Sequence, residues 1–532
     1  MKSAKRLIAV VLPLAMVVAA CGGDDDDEGS GGSSSAENPP AAGSSEPVGE
    51  LTLAPTFPPT NLDPHKAGSI VGDSQFINPV YDRLTQVVAG ADGAEVAPML
   101  ATEWAYSEDG LTLTFTLRDD VTFHDGTPLD AEAVRLSLER ARTDGTAPVT
   151  AKYEPVESIE APDATTVVLH LNRPTTELPT SLATIAGAVV NPASLDSPTL
   201  DREPDGSGPY VVTDLSIGDR ITYEAAPEYW DDSVPRAQSI ELVGMGDDNA
   251  RLNALQSGQV DGIVVKLGQY AQAKELADQG DFTMYTYPPS SSYPVQLNIG
   301  RPIMEDEKVR QALNYAIDRD AINESLLGGQ CDATSQLVQE GFAGHVADLE
   351  GYEYDPDKAR ELLAEAGYED GFPMKIVVGA GLTPQNQIAT AVQDQLGEVG
   401  IDVKVDSLDN AASYTAWTEG QYDGYVAARS AAPDGPSTLA ENYLNPALFP
   451  GGAPEEFKAE LDQAFDPSLG EDERQEHAEA ANTMASESAF DIYICTYPVV
   501  YMYDDDVVGL DNTGLAYVYN FIDLRGVAGR AG

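Results

Sequence analysis

Five histidines occur, His65, His124, His170, His345 and His477, all far apart and none in an HExxH pair, so a histidine-built metal centre is not expected. Three cysteines are too few for a Cys-rich metal site or a disulfide-stapled miniprotein. GxSxG, SxxK and HExxH, which would mark an activated nucleophile or a zinc hydrolase, are absent, as is the phosphate loop GxxxxGKT/S. Asp and Glu together number 88, so neighbouring carboxylates arise by accident and a pair of acids marks no site by itself. Against 30 Lys and Arg the net charge is −58, which repels phosphate backbones and removes sequence-independent nucleic-acid binding. The acidity reads as a solvated surface, because salt screening beyond about 8–10 Å leaves attraction of cationic ligands as an effect on rates. A length of 532 residues, 42% hydrophobic with 24 tyrosines, allows three or four domain-sized units with buried cores.

The cysteines divide by position. Lys2, Lys5 and Arg6 precede an apolar run from Leu7 to Ala20 that is too short to span roughly 30 Å of hydrocarbon and fits an export signal over residues 1–20. It ends in Val18-Ala19-Ala20-Cys21, which resembles the lipobox of bacterial lipoproteins; the resemblance implies cleavage before Cys21 and a lipid on its sulfur. Residues 21–50, rich in Gly, Ser and Asp, then form a lipid-anchored acidic tether with a reach of about 30 Å. Outside the cytoplasm the two remaining cysteines, Cys331 and Cys495, are expected to pair, the alternative being two buried thiols.

From Leu51 onward short strands alternate with amphipathic helices. Lys375–Val378 reads as a strand; a helix from about Gln385 places Ile388, Val392, Leu396 and Val399 on one face; Gly400 suits its end; and Ile401–Val405 alternates as the next strand. Such a unit is a right-handed parallel crossover. Asp355 and Pro356 open a helix that Gly367 closes, and Val309–Ile317 reads as another. The first half is richer in strands, with Leu111–Leu117, Thr166–Leu171 and Ile221–Tyr223, and Asp130 caps a helix to about Ala141. Gly206, Gly208 and Pro209 read as a tight turn, and Trp104, Trp230 and Trp417 as core residues. The class is mixed α/β.

These segments, in this order, resemble the family 5 solute-binding proteins, the peptide- and nickel-binding components of ABC importers. The resemblance rests on NLDP at Asn61–Pro64, YDRL at Tyr81–Leu84, and the long stretch from Pro98 to Val134. It continues through GSGPY at Gly206–Tyr210, EYW at Glu228–Trp230 and LNALQSGQVD ending at Asp261. The second half adds VRQALNYAIDRD from Val309, the YDPDKARELL helix and the Gln387–Val405 helix and strand. It implies a two-lobe periplasmic-binding-protein-like fold with two hinge crossings. Lobe I would comprise 51–295 plus 496–532, with an extra subdomain at about 75–200, and lobe II 296–495. The crossings would fall near Tyr293–Asn298 and Tyr493–Tyr497, so a Cys331–Cys495 bridge would brace lobe II beside the hinge. A solute, enclosed between the lobes, would be passed to ABC permease subunits with cytoplasmic ATPases; no cofactor is implied, and the protein would act as a monomer on the outer face of the cytoplasmic membrane.

In peptide-binding members an aspartate after a YD pair anchors the ligand's α-amine. Here the segment begins at Tyr422; aligned without gaps, that position falls on Ala432, the usual preceding Trp on Arg429, and Asp434 lies two residues further. This departure weakens the case for a free-amine anchor. Arg429 in the cleft would instead offer a planar bidentate donor to a carboxylate or phosphate, the alternative being a surface or inter-lobe arginine. The other cleft candidates are Phe57 after the first strand, Ser291 and Tyr293 before the first crossing, and Tyr497 at the second, against which stands simple packing at the hinge. Capture of a peptide or peptide-like solute is the main reading; an exported hydrolase or transferase, or a surface receptor or adhesin using the same cleft, are the alternatives. On sequence alone, Arg429→Ala is expected to impair binding and leave the apo melting temperature nearly unchanged.

Overall fold

The computed structural model describes residues 47–89, 94–432, 434–511, 513 and 524–530, so the signal, the tether up to residue 46 and Cys21 lie outside the described residues. Its organising feature is a pair of long strands, Phe282–Leu297 and Asp491–Asp504, antiparallel along most of their length, with Ser291 opposite Tyr497, Tyr293 opposite Cys495 and Gln296 opposite Asp491. Register shifts flank Pro289 and separate Tyr293 from Pro294. Proline cannot donate to a ladder, so the pairing slips register where Pro288, Pro289 and Pro294 interrupt the first strand.

The two strands are the middle of one 12-stranded sheet. On one side follow Gly262–Val265, then Glu50–Ala54 parallel to it and to Ser239–Val243, and an antiparallel edge of Arg220–Ala225 and Tyr210–Ser216. On the other side lie Gly424–Val426, Pro373–Gly379 and Asp402–Leu408, mutually parallel. Each half is an α/β layer, and the strands that hold them together are the hinge strands. Between Ala101 and Leu171 four strands form a separate antiparallel sheet with its own apolar core, covered by the helix Ala131–Asp144 that Asp130 caps through a 2.9 Å bond from the Ala133 amide.

The crossover read from sequence is present. Pro373–Gly379 pairs in parallel with Asp402–Leu408, Lys375 opposite Lys404, and the connecting helix Gln385–Glu398 buries Ile388, Ala389, Val392 and Leu396. Gly400 follows at φ +94°, a left-handed conformation that costs glycine nothing. The helix expected at Val309–Ile317 runs instead from Glu307 to Tyr315, because Asp306 caps it two residues earlier by accepting from the Lys308 amide.

Of the three tryptophans, only Trp417 is fully buried. Trp104 and Trp230 are half-buried at the margin of the four-stranded sheet's core. Trp230 serves a polar junction rather than a core: its indole N–H donates to Asp82 Oδ2 at 2.8 Å, and the Arg118 guanidinium covers its face at 3.6 Å.

Candidate functional site

After Gly424–Val426 the chain leaves the sheet for two alanines and rejoins it at Arg429–Ser430, which pair with Ser292 and Ser291 of the first hinge strand. The next residues are pinned in turn. Ala431 N–H donates to Ser290 O at 2.9 Å, Ala432 N–H to Thr438 Oγ1 at 2.9 Å, and Asp434 caps the helix Gly435–Tyr443 by accepting from Ser437 N–H at 2.7 Å. Gly435 lies so close to Ala343 that a Cβ would meet its carbonyl oxygen at 1.7 Å, so this helix start admits no larger residue.

The result aims Arg429 inward. Its side chain is 4% exposed, and Nη1 lies 3.3 Å from Oδ2 of the fully buried Asp491. The guanidinium also stands over the Tyr443 ring at 5.6 Å. Asp491 also accepts two hydrogen bonds from elsewhere: Leu297 N–H donates to Oδ1 and the Tyr443 hydroxyl to Oδ2. Burial pushes the Asp491 carboxyl above its ordinary range, while Arg429 and the Tyr443 bond pull it down. None of the three guanidinium nitrogens makes a hydrogen bond. Neither does Gln296 Oε1, although Gln296 is only 2% exposed. Both side chains line one cavity of about 320 Å³, with Tyr414, Tyr425, Glu441 and Asn442. Beside it the hydroxyls of Ser290, Ser291 and Ser292 are buried without partners. Buried polar groups are normally paired, so this concentration of unsatisfied donors and acceptors marks the cavity, among the described residues, as the candidate ligand site.

Two contacts bring the four-stranded subdomain to the rim. Lys152 forms an ion pair with Glu441, and the Thr180 hydroxyl donates to Asp434 Oδ2 at 2.8 Å. Val87 and Ala183 join the apolar cluster that contains Leu439 and Tyr443.

The sequence candidates are placed as follows. Arg429 lines the cavity. Asp434 does not, and its carboxylate is taken by Ser437 and Thr180. Burial raises its pKa. Ser291 is wholly buried one register position from Arg429. Tyr293 and Tyr497 stack on each other, centroids 4.1 Å apart and planes 10° from parallel, inside the apolar core behind the hinge. Phe57 is 48% exposed beyond the strand Glu50–Ala54. Cys331 and Cys495 form a disulfide, Cα atoms 5.7 Å apart, which ties the short strand Asp332–Ala333 to the second hinge strand. Among the described residues no three His, Cys, Asp or Glu side chains are grouped to hold a metal, and no helix is long and apolar enough to cross a membrane.

A larger hollow of about 550 Å³ lies beside the disulfide, lined by Arg319, Asp318, Asp332, Gln339 and Thr496 among others. Its buried cation is spent: Arg319 donates to the carbonyls of Tyr493 and Tyr352 and to Asn314 Oδ1. The smaller cavity is therefore the better candidate despite its size. Sequence reasoning missed Gln296, Asp491 and Tyr443. The signal was there for two of them: Gln296 interrupts the run Tyr293–Leu297, and Asp491 the run Phe490–Cys495, where a polar residue in an apolar strand is out of pattern.

Three comparisons fit this architecture. The Glutathione-binding protein GsiB of Salmonella paratyphi A is 30% identical over 366 residues, 68% of this chain and 70% of that one. DppA from Helicobacter pylori, solved with the peptide STSA, superposes with a TM-score of 0.79 at 22% identity over 90% of this chain and 98% of that one. NikA from Brucella suis, solved with Fe(III)-EDTA, superposes with a TM-score of 0.79 at 22% identity over 90% of this chain and all of that one. At such identities the superpositions speak to the fold alone. The family model described as bacterial extracellular solute-binding proteins, family 5 Middle, matches residues 95–449. The chain belongs to the bacterial extracellular solute-binding proteins of family 5.

Proposed function

We propose that this protein captures a peptide or peptide-like small solute at the Arg429 cavity and delivers it, chemically unchanged, to the permease of an ABC importer. The observation that carries this reading is the buried Arg429 guanidinium and Gln296 Oε1, none of whose nitrogens or oxygen makes a hydrogen bond, at one cavity beside the hinge strands. The relatives add support, since one is named for glutathione and one was solved with a peptide.

In this reading lobe I (51–295 plus 496–532) and lobe II (296–495) close about the hinge strands, and the solute, held on lobe II at the Arg429 cavity, favours the shut state by reaching lobe I as well. Moving such a balance from 1:99 to 99:1 needs about 5.5 kcal/mol of differential binding. The Lys152–Glu441 and Thr180–Asp434 contacts are where the subdomain would add to closure. The protein would work as a monomer, exported and held to the outer face of the membrane through a lipid on Cys21, with no cofactor.

The test is a melting screen with dipeptides, tripeptides, glutathione and opines, followed by calorimetry, small-angle scattering and mass spectrometry of the recovered solute. Capture predicts a raised melting temperature, a smaller radius of gyration and an intact solute. Cleaved or transferred product would establish the hydrolase or transferase alternative, and uptake unchanged on deletion of the gene would favour a receptor or adhesin.

A further inference from the structure

We propose that the larger hollow, beside the Cys331–Cys495 disulfide, is a second ligand site that binds a small aliphatic cation carrying ammonium or guanidinium groups. It shares no lining residue with the Arg429 cavity and does not depend on what that cavity captures. Arg429 pairs with Ser292, Ser292 with Thr496 and Thr496 with Asp332, so both hinge strands stand between Arg429 and Asp332. At about 4.8 Å per strand this row is about 14 Å wide.

In a chain with 88 acids, carboxylates around a hollow mark no site by themselves. Gln339 is the residue that does. It lines the hollow, is 5% exposed, and its Oε1 is buried with no hydrogen bond. A buried acceptor left without a donor is costly, and an N–H from a ligand removes that cost. His345 lines the same hollow. Its Nδ1 stands 3.0 Å from Val338 O, so in the neutral ring Nδ1 carries the proton and Nε2 presents a lone pair.

The charges point the same way. Asp318, Asp320, Asp332, Glu340 and Glu353 line the hollow, and none has an ion-pair partner among the described residues. The guanidinium in the lining, Arg319, gives every nitrogen to protein acceptors and keeps no fork for an anion. Five carboxylates against this one cation favour a positive guest. The acids and His345 are not grouped to hold a metal ion, while Ala333, Val338 and Leu349 add apolar wall. Acceptors together with apolar wall suit charged ends joined by methylenes better than a bare ion. A volume of about 550 Å³ lies within the range of small-molecule sites.

Calorimetry with putrescine, spermidine, agmatine and Mg²⁺ tests this at about 0.15 M salt, where diffuse attraction to the acidic surface is screened. The proteins are wild type, Gln339→Leu, Asp332→Asn and, as a control for lost charge, Glu224→Gln on the distant strand Arg220–Ala225. We expect a saturable isotherm of one site for at least one of the three organic cations, and none for Mg²⁺. Gln339→Leu should weaken it at least about 10-fold and Asp332→Asn at least about threefold, with Glu224→Gln within about twofold of wild type. Tighter agmatine than putrescine would assign a guanidinium, and the reverse an ammonium. Asp332 is exposed, so its variant carries the test even where Gln339→Leu fails to fold. Saturation by none of the organic cations, equal binding of Mg²⁺, or losses no larger at Gln339 and Asp332 than at Glu224 would each overturn the site.

Discussion

Arg429 and Asp491 form an ion pair in the protein interior, with side chains 4% and 0% exposed and Nη1 3.3 Å from Oδ2. Far apart in sequence, they meet because the Arg429–Ser430 strand docks on the first hinge strand while Asp491 opens the second. The guanidinium is thereby held at a cavity wall with its hydrogen-bonding capacity unspent.

This pair reverses one expectation from sequence. Arg429→Ala strands a buried carboxylate, so it should lower apo stability by about 3–5 kcal/mol rather than leave it unchanged. Adding Asp491→Asn should recover at least half of that loss, because the uncompensated charge goes with it. Urea denaturation of the two proteins measures the difference, and equal midpoints would show that Asp491 does not depend on Arg429.

Asp434 should behave as a structural residue. Asp434→Asn keeps an oxygen for the Ser437 amide and should change stability by less than about 1 kcal/mol, whereas Asp434→Ala loses the cap and the Thr180 bond and should cost about 2 kcal/mol. Solute affinity of Asp434→Asn should stay within about threefold of wild type; a loss of tenfold or more would place its charge in recognition.

The disulfide closes a loop with a sequence separation of 164 residues. Chain entropy over such a loop corresponds to about 5 kcal/mol, and measured values commonly fall at 2–4. Replacing Cys331 and Cys495 together by Ser should therefore lower unfolding free energy by about 3–5 kcal/mol, read from denaturation with and without reductant. Wild-type protein in reductant should match the double variant.

His65 supplies a pH signature. It is fully buried; burial first, then the neighbouring Arg140, lower its pKa from 6.5 to about 4. Arg140 Nη1 donates to Nδ1 at 2.8 Å, so the ring's proton sits on Nε2, facing Ala188 O. The unfolded chain takes up a proton as pH falls below about 6.5, whereas the folded protein does so only near 4. Stability from this residue is thus complete above 6.5 and is lost between 6.5 and 4, by about 3 kcal/mol in all. Denaturation at stepped pH should show a shallower slope in His65→Gln than in wild type over that window; parallel slopes would sink the assignment.

Much of the fold was legible from residue order. The Pro373–Leu408 crossover follows from apolar spacing and the glycine at 400, and the caps at Asp130 and Asp355 from side chains that satisfy free amides. These features depend on neighbours a few residues away. The Arg429 cavity does not. Arg429 stood out only as a departure at its position, and whether it faced solvent, a lobe or a ligand was open.

Tertiary structure settled the partners. It gave Asp434 to a helix cap and to Thr180, put Tyr293 and Tyr497 face to face in the core, left Phe57 at the surface, and set Gln296 and Asp491 beside Arg429. Strand and helix signals repeat with short periods, so a linear reading detects them. A binding site is assembled from segments more than a hundred residues apart, and which of their polar groups remain unsatisfied depends on distances that exist only once the hinge strands have paired.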